Sequence, residues 1–483
     1  MRVQRVGPIL KPDSSRVLFR AFNPVGDRQD LHIVARIMAL PEKEVCRLLE
    51  QVMREFQDRH YKLRNFFLKR FEEVRPLLLT DAPLSEERRL LIGAYFTHEY
   101  ALEAAALFNP SIVWHPDQSG LPEGTRRFVL SLRATGEGHI SSITFREGTI
   151  DANNHIVLEK PTRYVSTPEI VPNPTYDRNL FERKLYELDL WDDFAAEVLA
   201  CLNEQFTLEE LKEALQFVEK QHRGRFRTEE QVARGILALA QANYEVFFSP
   251  DEPLSERVLF PTSPTEVNGM EDARFVQFRE DDGRVIYYAT YTAYDGKVVF
   301  PQILETEDFL HFRISTLNGP EVQNKGMALF PRRIHGHYAM LSRQDNENLY
   351  IMFSDMLHFW YTKQPLLKPT YPWEYVQVGN CGSPIETEAG WLVLSHGVGP
   401  MRKYSIGAFL LDREDPTKVI GRLKEPLLMP NADEREGYVP NVVYSCGGLI
   451  HNGYLILPYA MSDYASRFAI VPLEDILEAM VWV

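Results

Sequence analysis

Four cysteines, Cys46, Cys201, Cys381 and Cys446, are all that 483 residues contain, and no two form a CxxC pair. Such spacing suggests neither a zinc site nor a disulfide framework and leaves reduced, partly buried thiols. No run approaches the roughly 18 apolar residues that span a bilayer. The first residues, MRVQRVGPIL, are too poor in apolar side chains for a signal peptide. The expectation is a cytoplasmic protein with no membrane partner. Positive charge is in deficit too: 53 Lys and Arg stand against 68 Asp and Glu, a formal net charge of −15. A general nucleic-acid binder, which shows a basic footprint, is set aside, whereas a local basic pocket for a small anion is not. A Gly-rich phosphate loop, HExxH and GxSxG are all missing, which removes the commonest nucleotide, zinc-protease and serine-hydrolase readings.

What is present is ordinary in bulk, with 45% apolar and 25% charged residues. The length suffices for a large core and for two or three domains, although big all-β folds often run as one. Aromatic content of 12% is generous, as expected where sheet cores or sugar rings must be covered.

Along the chain, 16–22 (RVLFRAF) and 31–37 (LHIVARI) read as short strands. After Pro41 apolar residues recur at helical spacing, Val45, Leu48, Leu49, Val52, Met53 and Phe56. Further helices are expected near Leu63–Val74 and from Ser85, a plausible N-cap, through to Phe108, with His98 a structural histidine inside the last. This block, 1–107, reads as a packing or oligomer-contact module, and its exposed helical faces near Glu44–Phe66 make a homo-oligomer plausible. From Asn109-Pro110 the texture turns to strands, 128–134 and 139–145, interrupted by a helical insertion at about 179–243.

A repeat follows. RVIYYATYTA, HYAMLSR, GWLVLSHGV and GYLILPYA start at 284, 337, 390 and 453, spaced by 53, 53 and 63 residues. Outer segments are expected at 306–312, 354–360 and 473–476, and the 128–145 strand pair supplies a fifth copy. A four-stranded unit recurring five times predicts an all-β core, a five-bladed β-propeller over 108–483, with a β-sandwich as the other architecture. In a propeller the polar residues closing each repeat converge on the axis, which would gather Arg133, Asp272, Arg343, His396 and Asp463.

The stretch NGMEDAR, Asn268 to Arg274, sets Glu271 beside Asp272 after an Asn-Gly turn. Neighbours on an extended strand point to opposite faces, so both acids share one cavity only if the backbone is irregular there; the expectation is that one acid faces a substrate while the other ties down the loop through Arg274. The bland reading is a solvated turn. The chemical reading pairs a lone acid with anion-binding groups, Arg133, Lys325, Arg343, His396 and Tyr404. That set suits an acid-assisted displacement in which a bound anion is the nucleophile, the form of glycoside phosphorolysis. An inverting hydrolase would instead need a second carboxylate to activate water.

Several stretches carry a family resemblance: FNPSIV (108–113), LSLRA (130–134), MEDARF (270–275), YTAYDG (291–296) and KGMALFPRRIHGHYAMLSR (325–343). Others are SPIETEAGWLVLSHGV (383–398), YSIGAFLLD (404–412) and GYVPNVVYSCGGLI (437–450). In this order they resemble glycoside hydrolase family 130, the five-bladed-propeller enzymes of β-mannosides, in a longer-chain branch. The resemblance implies inverting phosphorolysis of β-mannosides, β-1,2-linked manno-oligosaccharides first, with inorganic phosphate as co-substrate, no other cofactor and no metal, and α-mannose 1-phosphate as product. The alternatives are an inverting β-1,2-mannosidase of the same family and, in another class, a non-catalytic carbohydrate-binding propeller. The resemblance places the general acid on Asp272 and phosphate contacts on Arg133, Lys325, Arg343, His396 and Tyr404. Asn109 and Asp463 resemble mannose-holding positions, and Glu271 and Arg274 flank the acid as substrate-binding candidates. Gly326, Ser342 and Gln377 depart from the residues common in phosphorylases at those places.

Overall fold

Strand-forming stretches after residue 105 pair with their sequence neighbours, because short turns favour antiparallel hairpins. The computed structural model describes residues 2–26, 28–172, 175–221 and 227–483. Among these, five antiparallel units follow one another. The first holds Ala106–Trp114, Arg126–Thr135 and Ser141–Ile150, with Ile156–Leu158 and Val258–Leu259 at its edge. The second holds Gly269–Arg279, Val285–Tyr294, Val299–Thr306 and His311–Thr316, extended by Tyr244–Phe247 and Glu169–Pro172. The third is Ala328–Leu329, Tyr338–Ser342, Leu349–Ser354 and Gln364–Leu367. The fourth is Gln377–Asn380, Gly390–Val398, Tyr404–Leu411, Val419–Leu423 and Met480–Trp482. The fifth is Val443–Tyr444, Tyr454–Met461, Ala465–Pro472 and the N-terminal strand Gln4–Leu10.

Backbone groups left over on the innermost strands are satisfied by the neighbouring unit, as buried amides must be. Phe275 N donates to Ser111 Oγ at 3.0 Å, joining the second unit to the first. Arg279 N reaches Pro331 O at 2.9 Å, Val378 N reaches Glu347 O at 3.0 Å, and Tyr404 N reaches Asn441 O at 3.1 Å. Cys446 N to Pro110 O, 2.8 Å, returns from the fifth unit to the first.

The loops that deliver three innermost strands share a device. Glu266, Glu374 and Glu434, each nearly fully buried, fold back onto the start of their own short turns. Each carboxylate is held by side chains of its sheet or the N-terminal strand. Tyr291 Oη donates to Glu266 at 2.6 Å, Arg422 to Glu374, and both Tyr459 Oη (2.6 Å) and Arg5 Nε (2.9 Å) to Glu434. Bonds to a charged acceptor offset the desolvation of a buried acid.

Several expectations are corrected. Residues 31–37 lie in a helix, Gln29–Met38, because Val34 and Ile37, three apart, face Leu91 and Ile92; packing overrides the β-branched composition. Ser85 does cap its helix, accepting from Arg88 N at 3.2 Å, but that helix ends at Tyr95. His98 sits on the strand Thr97–Glu103, paired with Asp13–Ala21. Strand texture begins before Asn109: Ala106–Trp114 runs through Asn109-Pro110 with a register break. The outer segments expected at 354–360 and 473–476 are a loop and a helix, Leu473–Glu478. The edge strand of the third unit is Gln364–Leu367, and that of the fifth comes from the other end of the chain.

The expected insertion at about 179–243 is helical among its described residues, residues 222–226 lying outside them. It contains Arg178–Glu187, Asp193–Ala200, Leu208–Gln221 and Arg227–Gln241. Asp177 and Asp192 cap the first two through Leu180 N (3.0 Å) and Ala195 N (2.9 Å). Phe181, Leu185, Phe194, Leu211, Leu215 and Ile236 give the insertion a core of its own. All four cysteines are free. No helix among the described residues is long and apolar enough to cross a membrane.

Candidate active site

Strand Gly269–Arg279 loses register against Val285–Tyr294 between Glu271 and Arg274. Asp272 occupies that bulge at a φ of 53°, in the left-handed region. A bulge cancels the strict alternation of a strand, so adjacent side chains can turn to one side. Both acids therefore reach the same guanidinium. Arg133 Nη2 donates to Glu271 Oε1 at 2.9 Å, and Nη1 to Asp272 Oδ1 at 3.2 Å. The expected division, one acid to a substrate and the other to Arg274, is corrected: the bulge turns both to Arg133, and Arg274 bonds the Asp272 backbone.

Strand Ala106–Trp114 breaks register in the same way between Phe108 and Ser111, with Asn109 at a φ of 48°. Asn109 Nδ2 donates to Asp272 Oδ1 at 2.7 Å. Asp463, on the turn between Tyr454–Met461 and Ala465–Pro472, has a φ of 50°. Three polar residues at one centre thus hold sparsely populated backbone conformations, as is common where geometry serves a site.

The cations around Asp272 are individually braced. Arg133 Nε donates to Ser141 Oγ at 2.8 Å, and its guanidinium lies 4.9 Å from the Phe108 ring centre. Lys325 Nζ stands 3.9 Å from Glu271 Oε2. Arg274 is buried and supports the acid from behind: Nη1 donates to Asp272 O at 3.0 Å and Nη2 to Tyr444 Oη at 2.7 Å.

A second group adjoins the first through Tyr444. His396, fully buried on Gly390–Val398, lies 5.0 Å from the Tyr444 ring and 5.9 Å from Tyr404, centre to centre. Gln377 Nε2 is 3.4 Å from His396 Nε2. Arg343 follows Tyr338–Ser342 and is buried as well. Gly379 lets these two side chains share one space, since a Cβ there would fall 2.5 Å from His396 Cε1 and 3.1 Å from Arg343 Cδ. Asn109 Oδ1, Arg343 Nε and His396 Nδ1 are buried with no hydrogen-bond partner among the described residues.

These contacts set the charges. Burial pushes the Asp272 carboxyl upward, but Arg133, Arg274 and Lys325, with the Asn109 bond, outweigh it and hold it at about 2. Asp463 moves the opposite way: burial, then the Asp272 charge, raises it to about 6 against the pull of Arg133, Arg402 and Lys325. Burial and then the Arg343 and Arg274 cations push His396 well below its usual range, so its imidazole is neutral at pH 7. It offers one N–H rather than a charge.

All ten residues singled out in the sequence fall into one connected set: Asn109, Arg133, Glu271, Asp272, Arg274 and Lys325 by direct contact, and Arg343, His396, Tyr404 and Asp463 through packing or charge. Asp345, two residues beyond the buried Arg343, is engaged by Tyr350 and Asn348 rather than by that guanidinium. Sequence reasoning missed Tyr444, which joins Arg274 to His396, and Arg402, which sits in the field of Asp463. Tyr444 lies in an apolar stretch, VVYSCGG, and nothing in its spacing separates it from a core tyrosine. Gln377, noted only as a departure, is beside His396.

Consecutive antiparallel sheets thus gather Glu271, Asp272 and Asp463 among braced cations, the centre of an enzyme. Residues 225–481 match the family model described as beta-1,4-mannooligosaccharide phosphorylase, and the chain belongs to glycoside hydrolase family 130. It is 38% identical over 231 residues to a 1,2-beta-oligomannan phosphorylase of Thermoanaerobacter sp., covering 46% of this chain and 75% of that one. It is 28% identical over 366 residues to a beta-1,2-mannobiose phosphorylase of Listeria innocua, covering 73% and 95%. A solved structure of a beta-1,2-mannobiose phosphorylase from Listeria innocua in complex with beta-1,2-mannobiose aligns over 79% of this chain and 92% of that one, at 23% identity and a TM-score of 0.47.

Proposed function

We propose that this protein is an inverting phosphorylase of β-mannosides, with β-1,2-linked manno-oligosaccharides as first choice and α-mannose 1-phosphate as product. The named phosphorylases among its relatives support the class of reaction. One observation of this chain carries it: Asp272, in a centre where Arg133 and Lys325 engage the neighbouring Glu271, lies beside Arg343 and His396, whose Nε and Nδ1 lack side-chain partners among the described residues. A phosphate oxygen is a fitting acceptor for both N–H groups, and Arg is suited to oxyanions. Asn109 and Asp463 hold mannose hydroxyls in this reading. Arg133 and Lys325 position Glu271 and Asp272, and Tyr404 walls the phosphate side.

In the step itself, phosphate attacks the anomeric carbon while the glycosidic C–O bond breaks on the opposite face. The proton of the Asp272 carboxyl passes to the departing oxygen, directly or through a sugar hydroxyl. At about 2 this carboxyl is ionised without ligand. A bound phosphate adds negative charge to a site now dominated by Arg133, Arg274 and Lys325, and so raises the affinity of Asp272 for the proton it must deliver.

Five consecutive sheet units, each bonded to the next and the fifth to the first, support a closed five-bladed propeller. The same bonds support a catalytic unit of 108–483, completed by Gln4–Leu10, with the rest of 1–107 as a helical accessory. The test is incubation with β-1,2-mannobiose with and without inorganic phosphate. Mannose 1-phosphate formed only with phosphate is expected. Phosphate-independent release of mannose would make the protein a mannosidase and overturn the reading.

A further inference from the structure

A cavity of about 760 Å³ lies between the helical insertion and the start of the strand that carries Asp272, within the roughly 300–1,000 Å³ of sites that hold small ligands. Two of its lining residues adjoin the catalytic strands: Asn268 precedes Gly269, and Ile140 precedes the Ser141 that braces Arg133. The opposite wall comes from the helical insertion, through Lys212 of Leu208–Gln221 and Gln241 of Arg227–Gln241. Arg20 of the strand Asp13–Ala21 closes one side.

The lining contains no carboxylate, in a chain where acids outnumber bases 68 to 53. Its two charged side chains, Arg20 and Lys212, have no carboxylate partner among the described residues. Arg20 instead lies 5.3 Å over each of the Tyr100 and Phe260 rings. The side chain of Gln241 likewise makes no hydrogen bond among the described residues. Val267, 58% exposed, adds an apolar surface at the catalytic edge. Uncommitted donors beside apolar surface suit a ligand rich in hydroxyl oxygens with C–H faces between them.

Building on the proposed reaction, we infer that this groove binds the distal sugars of a β-mannooligosaccharide whose reacting linkage lies at Asp272. The insertion is then the wall that lets the enzyme distinguish a long chain from a disaccharide. The scaffold needs no such wall for the chemistry, because Asp272, Arg343 and His396 are all held by the sheets.

The test is calorimetric binding of β-1,2-linked mannose di- and tetrasaccharides to Asp272→Asn, alone and combined with Lys212→Ala and Gln241→Ala. Asp272→Asn is expected to bind the tetrasaccharide about tenfold more tightly, the gain from one or two net hydrogen bonds. In the triple variant the ratio is expected to fall to about one. A ratio near one before the groove is altered, or a ratio that survives its alteration, overturns the inference. Release of mannose 1-phosphate by the unaltered protein is measured separately. Length-dependent binding without that release overturns the reaction and leaves the groove standing; no saccharide binding at all overturns both.

Discussion

Asn109 and Asp272 come from the first and second units, both adopt left-handed backbone conformations, and one hydrogen bond of 2.7 Å joins their side chains. Each bulge turns its residue toward the other, so the acid is aimed by two irregular strands rather than by a flexible loop. Asn109→Gly keeps the backbone freedom that a φ of 48° requires and removes only the amide. A hydrogen bond to a charged group contributes about 1.5–3 kcal/mol. Turnover is expected to fall about ten- to a hundredfold on that account, with little change in melting temperature. Unaltered kcat would remove Asn109 from the positioning of the acid.

Asp272→Asn tests the acid itself. Asn tolerates the left-handed region and fits the same volume, so the fold is expected to persist. Loss of a general acid costs about 10²–10⁴ in rate, while saccharide binding is expected to survive. Phosphorolysis at the parent rate would exclude Asp272 as proton donor. A companion measurement follows the Asp272 carboxyl by NMR titration with and without phosphate. An upward displacement from about 2 on adding phosphate is expected, and no displacement would break the link between anion binding and proton delivery.

The two acids respond oppositely to pH. Asp463, raised from 3.8 to about 6, binds a proton more tightly in the fold than in the unfolded chain. Its contribution to stability is therefore lost as pH rises from about 4 through about 6. Asp272, lowered from 3.8 to about 2, contributes stability that is present above its unfolded value and lost as pH falls toward 2. If Asp463 holds a sugar hydroxyl as an acceptor, it works ionised, and kcat/KM is expected to rise with pH to a plateau above about 6. Asp463→Asn should flatten that limb. A limb of the same position in the variant would assign the titration elsewhere.

The repeat of apolar strands starting near 284, 337, 390 and 453 was legible because each lies in a strand buried in its sheet, where sequence and burial coincide. The outer strands were not. Gln4–Leu10 joins the fifth unit across almost the whole chain, and no local pattern encodes a partner that distant. Residues 31–37 were misread because Leu, Ile and Val fit a strand or a short buried helix equally well. At the site, the acids and cations could be named from residue type, but strand alternation pointed Glu271 and Asp272 apart, and the bulge that turns both to Arg133 leaves no mark in residue type. What could not be deduced was that Asn109 would carry the matching irregularity, or that Tyr444 would stand between Arg274 and His396, since both relations join strands far apart in sequence.

Gly379 offers a final test, of the phosphate side alone. It pairs with His396 across Gln377–Asn380 and Gly390–Val398, and its missing Cβ is what leaves room for the imidazole. In Gly379→Ala the new carbon would lie 2.5 Å from His396 Cε1, too close for any real contact, and 3.1 Å from Arg343 Cδ. The ring is fully buried between Tyr404 and Tyr444 and has little space in which to move. The displacement therefore falls on the two side chains with uncommitted N–H groups. The KM for phosphate is expected to rise about tenfold, the equivalent of one misplaced hydrogen bond to a charged oxygen. The KM for the disaccharide, set by Asn109 and Asp463, should stay within about twofold, because uniform loss of binding to one substrate leaves the other's contacts intact. Equal increases in both constants would mean that Arg343 and His396 do not form a separate phosphate site. No increase in either would mean that the pair does not touch phosphate.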